Sequence, residues 1–129
     1  MIEGARTWVE LRRLLSNLRC SPQRLHDLQG ALLQEAVHHA YRSIPFYRRV
    51  WNDAGFHPSQ VSGVSDLTRL PIITAAMVRE AAQRAELLAH GVDTGLCTHL
   101  DSSGSSGRAL RIWKRPLEER VRRAIGLRI

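Results

Sequence analysis

With 129 residues, 43% hydrophobic and 24% charged, the chain has room for one domain that could bury roughly two-thirds of its unfolded surface, and its composition argues against disorder. No run approaches a membrane span, and an N-terminus carrying Glu3 and Glu10 lacks the basic start and apolar core of a secretion signal, so a cytoplasmic location without membrane contact is expected. The formal charge of +7 raises nucleic acid as a partner, but every cation except Lys114 is an arginine and the arginines are spread along the chain, which argues against it.

Apolar residues at Trp8, Leu11, Leu14, Leu15 and Leu18 predict an amphipathic helix over Ala5 to Cys20. Ser21-Pro22 offers a cap and first turn for a second helix, with an apolar stripe of Leu25, Leu28, Leu32, Ala36, Ala40 and Tyr41 that must end before Pro45. Ile44, preceding proline, should be extended; Pro45 opens a third short helix through Trp51 to Ala54, with Gly55 as its stop. From His57 to Pro71, Pro, Gly and Ser predict a surface segment with at most one short helical turn, pinned by Leu67, Leu70 and Ile72. Thr74 caps a fourth helix with Met77, Val78, Ala81, Ala85 and Leu88 on its apolar face, ending near His90-Gly91.

After a linker from Val92 to Gly95, the runs Leu96 to Asp101 and Ala109 to Lys114 alternate as two antiparallel strands. Pro116 then opens a last helix with Leu117, Val121, Ala124 and Ile125 on one face and Glu118/Arg122 and Glu119/Arg123 as i, i+4 pairs. The fold class is α+β and mainly helical, divided into a helical region, 1–91, and the start of a sheet, 92–129. An isolated two-stranded hairpin is marginal in water, so one incomplete domain is expected.

Between the strands lies Ser102-Ser103-Gly104-Ser105-Ser106-Gly107, followed by Arg108. Its glycines can adopt φ > 0 and leave backbone N–H groups open to an anion, while four hydroxyls supply further donors. Alone, such a string is more often a linker, and it is no Walker loop, because no Gly-Lys-Ser/Thr closes it. Its internal position between two strands favours a phosphate cradle, and Arg111, Lys114 and Arg115 would raise the local potential if the strands turn them toward it.

The segments Tyr41 to Arg49, Asp66-Leu67, Leu70-Pro71-Ile72-Ile73-Thr74 and Leu100 to Leu110 resemble, in order and spacing, the N-terminal part of phenylacetate-CoA ligase-like enzymes of the adenylate-forming superfamily. The resemblance covers roughly Leu25 to Leu127. It implies the beginning of an adenylate-forming N-terminal domain, in which Ser102, Ser103, Gly104, Ser105, Ser106, Gly107 and Arg108 contact the β and γ phosphates of ATP. ATP and Mg2+, with CoA as a further substrate, follow from the family, as does an acyl adenylate that goes on to a thioester. The sequence departs from the family at Arg108, where Lys or a small polar residue is usual, at Ala109 in place of Pro, and at Ala75 where Lys commonly follows the Thr. The family's downstream aromatic-Gly-x-Thr-Glu segment, ribose-binding aspartate and adenylation lysine have no counterpart here. The chain is therefore expected to be a truncated N-terminal portion, inactive alone, with no catalytic residue assigned.

Neither cysteine has a partner at disulfide or zinc spacing, so Cys20 and Cys97 read as reduced, buried small hydrophobes, and His26, His38, His39, His57, His90 and His99 show no ligand spacing, so no metal site is expected. Trp8, Trp51 and Trp113 read as core. A competing reading is a non-catalytic helical module that binds a protein partner, or itself, through exposed apolar surface on the hairpin and last helix.

Overall fold

The computed structural model describes residues 2–101 and 111–126. It contains helices α1 (Ile2–Asn17), α2 (Pro22–Ser43), α3 (Pro45–Asp53) and α4 (Ala75–Gln83), strands β1 (Thr98–Asp101) and β2 (Arg111–Lys114), and helix α5 (Pro116–Gly126). The mainly helical α+β class with a hairpin and a closing helix is the one expected. The chain divides into two units, Pro22–Val92 and Met1–Ser21 with Asp93–Ile129.

In the unit Pro22–Val92, the core is Val37, Phe46, Val50, Trp51, Phe56, Val61 and Ala81, with Leu33, Tyr41, Ile44, Tyr47, Leu70 and Ile73 packed around it. α2 buries only part of the expected stripe: Ala40 and Tyr41 pack against the core. Leu25 and Leu32 are exposed, whereas Gly30 and Val37 are buried. The reason is a close backbone approach: a Cβ at position 30 would lie 3.5 Å from the Gly63 Cα, and Gln34 Nε2 donates to the Ser62 carbonyl at 2.6 Å. That approach rotates α2 so that Gly30, Leu33, Val37 and Tyr41, at spacings of three and four, face inward.

Pro45 governs the α2–α3 junction. Ile44 is extended (φ −116°, ψ 112°), as the residue before proline must be, and α3 starts on Pro45. The carbonyls that α2 leaves unpaired at its end are taken up by other segments: Arg48 donates to the Tyr41 carbonyl at 3.1 Å and to that of Arg42, and the His90 N–H reaches Ser43 at 2.9 Å. Gly55 ends α3 at φ +67°, where a side chain would be strained. The Phe56 N–H returns to the Trp51 carbonyl at 2.8 Å and the Gly55 N–H to that of Asn52 at 3.0 Å, while the Trp51 and Phe56 rings meet at 5.3 Å. Trp51 also stacks on Tyr41 and touches Tyr47.

The segment from His57 to Pro71 is more structured than its punctuation implies. It holds two 3₁₀ turns, Pro58–Gln60 and Val64–Arg69. Pro58 and Val61, three apart and so on one side of a 3₁₀ turn, are both buried. Of the expected pins, Leu70 packs on the core but Leu67 and Ile72 are exposed; the extended backbone alternates, and Ile73 points inward instead. Asp66 organises the second turn. Its Oδ2 accepts from the Ser62 N–H at 2.8 Å, the Ser62 hydroxyl at 2.7 Å and the Gly63 N–H at 3.3 Å.

The Ser62 hydrogen bonds lower the Asp66 pKa to about 2 from the usual 3.8, with Arg69 assisting. The folded carboxyl is thus the stronger acid, so its stabilisation is complete above about pH 4 and disappears as pH falls through about 2. Asp66→Asn is expected to lower the urea midpoint at neutral pH while leaving a shallower loss of stability between pH 4 and 2. An unchanged acid limb, measured by circular dichroism, would show that Asp66 does not carry it.

Thr74 caps α4 through its Oγ1, which accepts the Met77 N–H at 3.3 Å. The helix stops at Gln83, well short of His90-Gly91. The stop is Ala85 at φ +55°, with the Glu86 N–H bonded to the Ala81 carbonyl at 3.0 Å and the Ala85 N–H to that of Ala82 at 3.3 Å. This is the same termination as at Gly55, made with alanine. The Glu86 carbonyl then accepts the Phe46 N–H at 3.1 Å and its carboxylate pairs with Arg49 at 2.8 Å, joining the end of α4 to the start of α3.

In the unit Met1–Ser21 with Asp93–Ile129, α1 packs against α5, and α5 also meets β2. Leu11 is buried, but Trp8 and Leu18 are each 64% exposed, so Trp8 is not a core residue. Cys20 and Cys97 are free and half-buried rather than fully buried, each thiol donating to a backbone carbonyl four residues earlier. The Arg123 side chain, expected to pair with Glu119, lies outside the described residues, and the described charges of α5 pair at i, i+3. Glu118 reaches back to the Arg115 N–H at 2.8 Å and its side chain, capping the helix, and Glu119 pairs with Arg122 at i, i+3.

Candidate functional site

The hairpin borders the candidate site. β1 and β2 pair antiparallel in the register Thr98↔Lys114, His99↔Trp113, Leu100↔Ile112 and Asp101↔Arg111. Because successive strand residues face opposite sides, His99, Asp101, Arg111 and Trp113 share one face and Leu100 and Ile112 the other. On the first face the His99 and Trp113 rings lie 5.3 Å apart and the Arg111 guanidinium sits 6.0 Å from the Trp113 ring centroid. Arg111 Nε donates to Asp101 Oδ1 at 3.0 Å, and a terminal guanidinium nitrogen donates to Oδ2 at 3.3 Å. Hydrogen bonding from Arg111 holds the Asp101 carboxyl below the usual range, against the opposing effect of burial, and the same bond raises the Arg111 pKa.

Asp101 and Arg111 are the last pair before residues 102–110. Ser102, Ser103, Gly104, Ser105, Ser106, Gly107 and Arg108 lie outside the described residues. Of the three flanking cations, none stands free at that border. Arg111 is bound to Asp101, Arg115 is drawn into the α5 cap by Glu118, and Lys114 pairs across from Thr98 at the far end of the strands. The Asp101–Arg111 clasp was missed in the sequence, yet it has a simple signal there: opposite charges flanking the loop, the position that closes a hairpin.

The other three motif segments lie in the unit Pro22–Val92. Tyr41, Ile44, Phe46 and Tyr47 belong to its core or the shell around it, Arg48 caps α2, Arg49 binds Glu86, and Thr74 caps α4. Among the histidines, His57 caps the first 3₁₀ turn through Nδ1, which accepts the Ser59 N–H at 3.3 Å. Among the described residues no group of three His, Cys, Asp or Glu side chains could hold a metal ion, and no helix is long and apolar enough to cross a membrane.

No protein-family model matches the chain. Curated relatives do: a phenylacetate-coenzyme A ligase of Escherichia coli is 37% identical over 60 residues, 46% of this chain, and that of Aromatoleum evansii is 31% identical over 62 residues, 48% of this chain. The Thermus thermophilus enzyme is 34% identical over 58 residues, 45% of this chain. Over these segments the chain is similar to phenylacetate-coenzyme A ligases. Among solved structures, the chain is similar to a 2-hydroxyisobutyryl-CoA ligase crystallised with 2-HIB-AMP and CoA, with a TM-score of 0.61 and 26% identity over 72% of this chain. The matched parts span only 13–14% of the length of the curated ligases and 20% of the crystallised one.

Proposed function

We propose that the chain supplies the ATP-phosphate-binding element of a carboxylate–CoA ligase-like adenylating protein, of which it forms an N-terminal portion. The observation that carries this reading is the likeness to CoA ligases in a chain whose Ser/Gly string is bordered by a paired hairpin. In such a reaction a carboxylate attacks the α phosphate and expels pyrophosphate, whose growing charge needs donors already aimed at it. The N–H groups and hydroxyls of Ser102 to Gly107, with the Arg108 guanidinium, are suited to that task. ATP with Mg2+, and CoA as acyl acceptor, would be the ligands. The full adenylation and thioester chemistry belongs, on this reading, to the longer protein.

The test is titration of the chain with ATP and with inorganic pyrophosphate. Gly104→Val combined with Gly107→Val is expected to weaken both at least tenfold, because β-branched residues resist φ > 0 and cover the N–H groups. Binding unaffected by the double substitution would overturn the assignment. A second reading, a non-catalytic interaction module in a cytoplasmic protein, is favoured by exposed Leu100 and Ile112 on one hairpin face and Leu117 and Ile125 on α5. Sedimentation of the same samples separates the two, since a chain that binds neither nucleotide nor pyrophosphate but self-associates is the outcome of the second alone.

A further inference from the structure

We propose that the uncovered side of α1 is a docking site for an acidic amphipathic helix of a partner protein. The site lies within α1 and does not involve the Ser/Gly string. Trp8 and Leu15, Leu11 and Leu18, and Arg12 and Arg19 are each seven residues apart, the repeat that gives an apolar seam edged by charge where two helices pack. α1 packs on α5, but only part of that seam is covered. Leu11 is buried and Leu14 half-buried, whereas Trp8 is 64% exposed, Leu15 41% and Leu18 64%. Beside the uncovered residues lies a cavity of about 500 Å³, lined by Arg12, Leu15, Ser16, Leu18 and Arg19.

The charges name the occupant. Arg12 and Arg19 are exposed, stand about 10 Å apart along the helix on the same side as Leu15, and have no acidic partner among the described residues. A neighbouring helix with an apolar seam of its own and a Glu or Asp every seventh residue would lay one carboxylate against each guanidinium at that spacing. Its apolar side chains would then fill the depression over Leu15 and Leu18. A second copy of the chain fits badly. Paired antiparallel, α1 would set its arginines against each other, and paired parallel it would set them against Thr7 and Leu14, neither of them acidic. A flat anionic bilayer would attract the arginines but would use neither their spacing nor the depression.

Fluorescence anisotropy with labelled three-heptad designed helices tests this, each helix carrying Leu at its seam positions and Glu, Gln or Lys at the flanking ones. The Glu helix is expected to bind the full chain, the Gln helix to bind roughly three- to thirtyfold more weakly, and the Lys helix not to bind. Arg12→Glu with Arg19→Glu should reverse that order, so that the Lys helix is preferred. Such a switch is a gain of binding and cannot come from unfolding. Leu15→Ser with Leu18→Ser should weaken the Glu helix roughly tenfold or more while circular dichroism stays unchanged. A charge-reversed chain that keeps the original preference would overturn the proposal, as would a serine variant that binds the Glu helix as tightly as the parent. So would sedimentation with phosphatidylserine vesicles that depends on the same four residues when the Glu helix does not bind, a result that makes the surface a membrane contact instead.

Discussion

Phe46→Ala is expected to destabilise the unit Pro22–Val92 by about 3–5 kcal/mol, the range for truncating a buried aromatic. Phe46 is 1% exposed, in the first turn of α3. Its ring meets Tyr47 at 5.3 Å, and the Arg49 guanidinium stands 6.0 Å from its centroid. Collapse around the missing ring is limited because the backbone there is held from two directions. Pro45 fixes φ on one side, and the Phe46 N–H is bonded to the Glu86 carbonyl on the other. A small domain has only about 5–15 kcal/mol of net stability, so the variant should melt far below the parent or fail to fold. Phe46→Leu, which retains most of the volume, keeps the measurement interpretable and should lose much less. Equal losses for the two, by urea denaturation, would mean that ring packing is not what Phe46 contributes.

Val37→Ser and Leu32→Ser make the second large contrast. Both positions lie on α2 and both are apolar, but Val37 is 4% exposed and Leu32 45%. At Val37 a hydroxyl would replace two methyl groups amid Phe46, Val50 and Trp51 in the core, losing transfer energy and leaving a polar group without an evident partner. The expected cost is roughly 2–4 kcal/mol. At Leu32 the same change should stay within about 0.5 kcal/mol. A reversed order would return α2 to the Leu25–Leu32 face and contradict the Gly30–Gly63 approach.

That contrast shows where the sequence was readable. Features set by one residue's covalent geometry were plain: Pro45 forcing Ile44 into extended backbone, Gly55 ending α3, Thr74 starting α4, and the alternation that pairs β1 with β2. Features decided between distant segments were not. The face of α2 is chosen by Gly63, thirty-three residues away, and an apolar tally along one helix cannot register a neighbouring backbone. The end of α4 was misplaced because its left-handed residue is Ala85, which costs roughly 1–2 kcal/mol where glycine would not and so gives no compositional sign. Likewise, Pro, Gly and Ser between His57 and Pro71 read as loop, although the His57 and Asp66 side chains cap two 3₁₀ turns there. For the candidate site, the string Ser102 to Gly107 was conspicuous in composition, while the charges that frame it emerged only from the strand register.

The division of the chain has a consequence for the order of assembly. Pro22–Val92 is continuous, so every contact in its core becomes available once those residues have left the ribosome. The other unit is assembled from two segments separated by Pro22–Val92, and α1 must wait for α5, beyond residue 115, before it is packed. During synthesis α1 therefore spends that interval as an amphipathic helix with nothing to cover it, while the segment behind it is already folding. Helix α1 is thus made before Pro22–Val92 yet finds its packing after it, and Trp8, Val9 and Leu18, which stay exposed even afterwards, are where a chaperone or a second nascent chain would have the longest opportunity to bind.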